Sequence, residues 1–401
     1  MLKFMKMFVA VILMSSTACW SADSDQSLEI NVQKALLVDY KQYKDLEYYS
    51  GAALSVYIPK KAIKNFYVGQ VSHVPDSEKV SSSTLFEIGS ITKSFTAAIL
   101  LQLEKEQKLH LNDSLKNWLP QYDKWSIVTL DALLNMTSGL PNYSETPLWN
   151  VASYQDPSHV FTNEELIQYV YPSTFSPPLK TKYFYTNTGY TLLDLVIEKA
   201  THNTFNDELT KRTIHKINLQ NTFYPVPAVP AEVEKRLAHG YNYNQYSNPP
   251  LVGKDLSQHN LSWAGAAGGI VSNSEDIIRW VKALFVEQDV LDAAQKIKLM
   301  QINSVLTGKP IKKLTASDPQ GFGLGVAEGL DPEKLFGHYW FYEGETLGFR
   351  ALYVYTPCNG VIISSVFNSA TDNENDHAKL LMKKIYELVL KQYPALQCKS
   401  S

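Results

Sequence analysis

One lysine of this chain stands where a lysine is costly. Lys93 lies in the run FEIGSITKSFTAAILLQLEKEQK, just before Phe95, Ala97, Ala98, Ile99, Leu100 and Leu101. An ammonium among such side chains loses hydration that nothing apolar returns. Three residues earlier is Ser90, and on a helix residues three apart share a face. A serine hydroxyl is a weak nucleophile until a base takes its proton. A free lysine, with a pKa of about 10.4, is protonated at neutral pH, and burial brings it towards the range of a working base. Near a helix start, unpaired N–H groups also favour developing negative charge. The plainer reading is a capping serine and a surface lysine, since Ser-x-x-Lys is a weak pattern; it occurs here once.

A second pair sits in KYFYTNTGYTLLDLVIEKA, where Tyr185 is followed by Asn187. A tyrosine hydrogen-bonded to a lysine can pass a proton to a leaving group. An amide two residues on can hold both the lysine and a substrate carbonyl. The spacing recurs at Tyr246, Ser247 and Asn248, in a loop of Pro, Asn and Tyr without a core pattern. Tyr185 leads straight into a helix, and it is the candidate.

The elements around these residues read as an alternation of strands and helices. Residues 27–48 predict a helix, GAALSVYIP and KNFYVGQVS a strand hairpin, and the run from Ser90 a long helix. Residues 111–250 are helix and loop punctuated by prolines. WAGAAGGIVSNSEDIIRWVKALF opens a helix with Asn273 and Ser274 as capping candidates. FGLGVAEG, GFRALYVYTP and NGVIISSVFN read as strands, and DHAKLLMKKIYELVLKQY as an amphipathic closing helix. Two outer segments of strands and helices flank a helical insert. The expected fold class is α+β: an antiparallel sheet flanked by helices, with a catalytic domain over 27–398. Its α/β lobe covers about 27–110 and 260–398, its helical lobe about 111–259.

Composition narrows the class. With 45% hydrophobic and 19% charged residues the chain is an ordinary globular one, and a formal charge of −3 gives no basic footprint for nucleic acid. Residues 1–22 read as a secretory signal peptide: Lys3 and Lys6, an apolar run from Met7 to Met14, then small residues. The expected location is outside the cytoplasm, in a bacterial periplasm. Cys19 after Ser16, Thr17 and Ala18 is similar to a lipoprotein signal, although Ser16 stands where a leucine-like residue is usual. A membrane tether follows only if Cys19 is lipidated. Cys358 and Cys398 are then an even pair that an oxidising compartment invites to bond.

The blocks TLFEIGSITKSFTAAILLQLEKEQKLHLNDSLKNWLP, LLNMTSGLP, FYTNTGYTLLDLVIEKA, AGAAGGIVSNSEDIIRW and ETLGFRALYVYTP, in that order, resemble the signatures of the class C β-lactamase and penicillin-binding serine hydrolase family. The resemblance runs from about residue 50 to 390. It implies an acyl-enzyme hydrolase without metal or organic cofactor, with Ser90 as nucleophile and Lys93 and Tyr185 as the acid/base pair. Asn187 would be a substrate-side hydrogen-bonder, and oxyanion N–H groups would come from Ser90 and an inner strand. The substrate would be a small molecule or peptide: a D-Ala-type amide or a β-lactam.

One block departs from the family pattern. The third motif is Lys or His, a small residue, then Gly, and here the stretch is LFGHYWFYEGETLGFRALYVY. Counting back from Gly348 places Tyr342, Glu343 and Gly344 at the motif and gives the oxyanion N–H to Glu345; counting forward nominates His338. Four strand residues span about 13 Å, so the two cannot share one subsite. Tyr342 is preferred, because a glycine beside the oxyanion position is hard to replace. A tyrosine in place of a cation disfavours a carboxylate-bearing β-lactam and raises a carboxylesterase as the alternative. Arg350, just downstream, could restore the charge. A non-catalytic protein binding cell-wall peptide is the reading from another class. No Gly-x-Ser-x-Gly elbow and no His-Glu-x-x-His ligand spacing is present.

Overall fold

The computed structural model describes residues 25–172, 182–245, 249–331, 333, 335–372 and 374–398. The leader with Cys19 and the Tyr246–Asn248 copy of the Tyr-x-Asn pattern lie outside the described residues. A helix over 25–43, α1, opens the described chain. The main sheet is built from β1 (Gly51–Tyr57), β2 (Lys64–Gly69), β3 (Ile302–Ser304), β4 (Pro310–Ile311), β5 (Gln320–Phe322), β6 (Ala327–Leu330), β7 (His338–Glu345), β8 (Arg350–Thr356) and β9 (Val361–Phe367). Its order is β2-β1-β9-β8-β7-β6-β5-β3-β4, and every pairing is antiparallel.

The inner strands are apolar on both faces because both faces are covered. In β8, Ala351, Tyr353 and Tyr355 face one core, while Leu352 and Val354 face the other. On the second face lie α1, through Leu28, Val32 and Leu36, and α5 (Ala378–Gln392), through Leu381, Met382 and Ile385. On the first face lies α4 (Ser274–Phe285), whose N-cap Asn273 accepts the Asp276 N–H at 2.8 Å. The α+β class with helices over an antiparallel sheet is thus the observed one. FGLGVAEG is an exception to the strand reading: Gly323 N–H donates to Val326 O, and this turn splits it into β5 and β6.

Between α4 and the helical region runs α2 (Thr92–Lys105), buried on every side from Thr92 to Leu103. A helix apolar all round belongs inside a core. Phe95 stacks on Trp280 of α4 at 3.7 Å, and Trp280 Nε1 donates to Ser94 Oγ at 2.8 Å. The sequence places Ser90 inside this helix. In the structure it lies just ahead, in the 3₁₀ turn Gly89–Ile91.

Cys358 and Cys398 form a disulfide with Cα atoms 5.7 Å apart. It holds the end of the chain to the β8–β9 turn, where Asn359 Nδ2 also donates to Leu396 O and Tyr386 Oη, each at 2.7 Å. Closing a loop of this size contributes about 4 kcal/mol in the chain-entropy account. Cys358→Ser is expected to lower the unfolding free energy by about 2–4 kcal/mol in a denaturant titration. Cys358→Ser/Cys398→Ser should lose no more than the single variant.

Candidate active site

Ser90 Oγ is the meeting point of two groups. Lys93 Nζ lies 2.9 Å away and Tyr185 Oη donates to it at 2.7 Å. Lys93 is fully buried, and among the described residues its Nζ donates to Ser90 Oγ, to Asn187 Oδ1 at 2.8 Å and to Ala267 O at 2.8 Å. Three oxygens match the three N–H bonds of an ammonium. They equally suit a neutral amine that donates two and accepts the Ser90 proton. Burial lowers the Lys93 pKa, opposed by its neighbour Tyr185. Burial thus shifts Lys93 towards the neutral form, the form that can act as a base.

Each partner is fixed by its own element. Asn187 stands at the N-cap of α3 (Thr188–Thr201), but its side chain does not cap. It is turned to Lys93 and donates Nδ2 to Ser144 Oγ at 3.0 Å, while its N–H goes to Asn142 Oδ1 at 3.0 Å. Tyr185 is anchored from both sides on Met136: Phe184 N–H donates to Met136 O at 2.9 Å and Thr186 N–H to Met136 Sδ at 3.4 Å. The turn Gly265–Gly268 presents Ala267 O, and Thr96 Oγ1 binds Ala266 O at 2.7 Å to hold that turn against α2. Ser144, Asn142 and Ala267 were not found from sequence. A backbone carbonyl has no residue type to read, and Ser144 lies in a loop of ordinary turn residues.

The end of β7 presses on the nucleophile turn through two glycines. Gly89 has φ +47°, and a Cβ there would lie 2.6 Å from Glu345 N; a Cβ on Gly344 would lie 2.0 Å from Ile88 O and 3.0 Å from Ser90 N. Only hydrogen in place of Cβ lets the backbones approach this closely. The amides of Ser90 and Glu345 therefore border one contact, the arrangement that stabilises a developing oxyanion.

Tyr342 is buried beside this contact, edge-on to Phe322 at 5.8 Å. Its hydroxyl lies towards Tyr185 without a partner in hydrogen-bonding geometry. Burial, with Tyr185, Tyr190 and Tyr183 nearby, holds its pKa well above the ordinary value, so it is a neutral phenol. His338 begins β7 at the far end, exposed and 3.2 Å from Glu328. Arg350 does not line the cleft bordered by Asn187 and Glu345. It is buried, with its guanidinium bound to Glu47 at 2.7 Å, Asp376 at 2.9 Å and Ser369 O at 2.9 Å.

A cleft of about 360 Å³ is bordered by Ser144, Glu145, Trp149, Trp263, Glu345 and Asn187, the last being the residue that binds Lys93. Glu345 is exposed to it. The surrounding protein pushes the Glu345 carboxyl up to about 7, against the pull of Arg350 and a hydrogen bond from Asn244. Water at its tip limits that rise.

The Beta-lactamase family profile matches residues 41–385. The chain belongs to that family. Among relatives, penicillin-binding protein 4* of Bacillus subtilis (strain 168) is 26% identical over 272 residues, 66% of this chain and 56% of that protein. A beta-lactamase of Psychrobacter immobilis is 24% identical, covering 70% of this chain and 63% of that one. The chain thus spans little more than half the length of these relatives. The D-amino acid amidase of Ochrobactrum anthropi SV3, solved with D-phenylalanine, shares the fold with a TM-score of 0.74 at 20% identity, over 90% of this chain and 99% of that one. A penicillin-binding protein of Bacillus halodurans aligns with a TM-score of 0.65 at 21% identity, over 86% and 98%.

Gly344→Ala should separate β7 from the nucleophile turn. Acylation by an ester probe, followed by stopped-flow, is expected to slow by about 10²-fold or more while the far-UV circular dichroism is retained. Wild-type acylation by this variant would refute the oxyanion geometry.

Proposed function

We propose that the protein is a serine hydrolase that cleaves an amide through an acyl-enzyme on Ser90. The observation that carries this is Ser90 Oγ held between Lys93 Nζ and Tyr185 Oη, with two amides bordering the adjacent glycine contact. Ser90 Oγ attacks the carbonyl carbon as its proton passes to neutral Lys93. The carbonyl electrons move onto oxygen, facing the Ser90 and Glu345 amides. Collapse breaks the C–N bond, and the leaving amine takes the proton through Tyr185. Water then adds to the ester, and release of the acid returns the proton to Ser90. Asn187 keeps Lys93 aimed and borders the substrate cleft. The relatives named as beta-lactamases and penicillin-binding proteins, and the structural neighbour named as an amidase, support amide-type substrates.

A carboxylesterase of the same fold is the second reading, and Tyr342 favours it, since a neutral phenol replaces the cation that would hold a carboxylate. A non-catalytic binding protein is disfavoured by the intact Ser90, Lys93, Tyr185 and Asn187 set. With residues 1–22 read as a leader, we place the enzyme outside the cytoplasm.

Intact mass after incubation with a penicillin, a D-Ala-D-Ala peptide and a short-chain nitrophenyl ester tests the nucleophile. Ser90→Ala should abolish every adduct and all turnover; residual full activity would sink the assignment. Lys93→Met should lower acylation by about 10³-fold or more, yet unfold within about 2 kcal/mol of wild type, since it removes a buried charge site along with its hydrogen bonds. The pH dependence follows from the depressed Lys93 pKa. Lowering pH protonates the base, so kcat/KM falls on the acid side. Between its folded and unfolded pKa values the unfolded chain holds the extra proton, so Lys93 contributes stability that rises with pH. A rate that climbs on acidification would exclude Lys93 as the base.

A further inference from the structure

The cleft bordered by Asn187 and Glu345 is lined by two acidic residues and, among the described residues that line it, by no lysine or arginine. Its carboxylates are Glu145, on the loop that follows Tyr143, and Glu345, at the end of β7. Both are exposed, and each is held by a neutral amide. Asn142 Nδ2 donates to Glu145 Oε1 at 3.1 Å, and Asn244 Nδ2 to Glu345 Oε1 at 3.4 Å. The cation closest in register, Arg350, is bound inside the protein by Glu47 and Asp376.

Two further observations point to a polar ligand at this place. Thr346, 4% exposed and bordering the cleft, keeps a hydroxyl without a hydrogen-bond partner among the described residues. A buried hydroxyl left unpaired is costly unless something bound satisfies it. Trp149 and Trp263, with ring centroids 5.2 Å apart, form an aromatic wall of the same cleft, a surface that attracts a cation over its π face.

Glu345 joins these features to the reaction. Its backbone amide borders the nucleophile turn, and its carboxylate enters the space next to it. In an amino acid derivative the α-amino group lies one carbon from the carbonyl. One residue can therefore face the carbonyl oxygen with its N–H and the ammonium with its side chain. We infer that this cleft is an ammonium subsite, and that the acyl donor is an amide or ester of an amino acid whose α-amino group is free. Glu345 takes the ammonium, Glu145 adds to the negative field, and a carboxylate at the same place is repelled. This rests on Ser90 being the acylated residue.

The test compares three alanine p-nitroanilides on the full chain: one with a free amine, one N-acetylated and one N-succinylated. The expected order of kcat/KM is free amine, then acetyl, then succinyl, with the amine ahead of the acetyl compound by about five- to tenfold at low salt and by less at high salt. Glu345→Gln retains the backbone N–H and should collapse that ratio; Glu145→Gln should reduce it in part. Equal turnover of the three substrates, or a Glu345→Gln loss that is the same for all of them, overturns the ammonium subsite while leaving Ser90 as nucleophile. If the wild-type protein turns over none of them and no probe labels Ser90, the acyl-enzyme reading fails, and the subsite with it.

Discussion

Lys93 has no contact with water, and the oxygens that surround its Nζ come from three separate parts of the chain: its own nucleophile turn, the start of α3 and the Gly265–Gly268 turn. A buried amine tolerates that position only while its hydrogen bonds are made. The helical region and the sheet-bound helices are thereby brought to one point. The burial that makes Lys93 expensive also lowers its affinity for a proton, so the cost to stability and the gain in reactivity have one source. Sites that carry such strain are expected where function, not packing, has set the residue.

The same economy of position governs charge around the site. His338 and Arg350 both lie near the third motif in sequence, and the fold turns both to other partners. His338 is at the far end of β7, and Arg350 is locked between Glu47 and Asp376. That buried cluster ties β8 to the segment after α1 and to the entry of α5. Tyr342 keeps the motif position uncharged. Ser90 thus keeps its lysine and tyrosine partners, while the neighbouring cleft has no cation among its described lining residues.

Much of this was legible in the sequence, for identifiable reasons. Runs such as RALYVYT and VIISSVF are strands because helices cover both faces of the sheet, and a continuous apolar stretch bounded by Gly or Pro reports that. Ser90, Lys93, Tyr185 and Asn187 were visible because side-chain chemistry and spacing are properties of residue type. What stayed hidden had no such signature. Ala267 acts through its carbonyl, Ser144 through a loop that folds back, and the direction of Arg350 depends on which carboxylates tertiary structure brings to it. The split of FGLGVAEG at Gly323 was missed because one turn hydrogen bond outweighs strand propensity over so short a run.

The sheet order has a consequence for when this site can exist. β9, the last strand of the main sheet in chain order, lies between β1 and β8 and not at an edge. Until it is in place, β1 with β2 has no partner on that side, and the β7–β8 hairpin that carries Gly344 and Glu345 is joined to the sheet through β6 alone. A nascent or shortened chain would contain every reactive side chain and still lack the pair of amides that a reacting carbonyl requires. The approach of Glu345 to Ser90 thus depends on closure of the sheet, far along the chain from Ser90 itself.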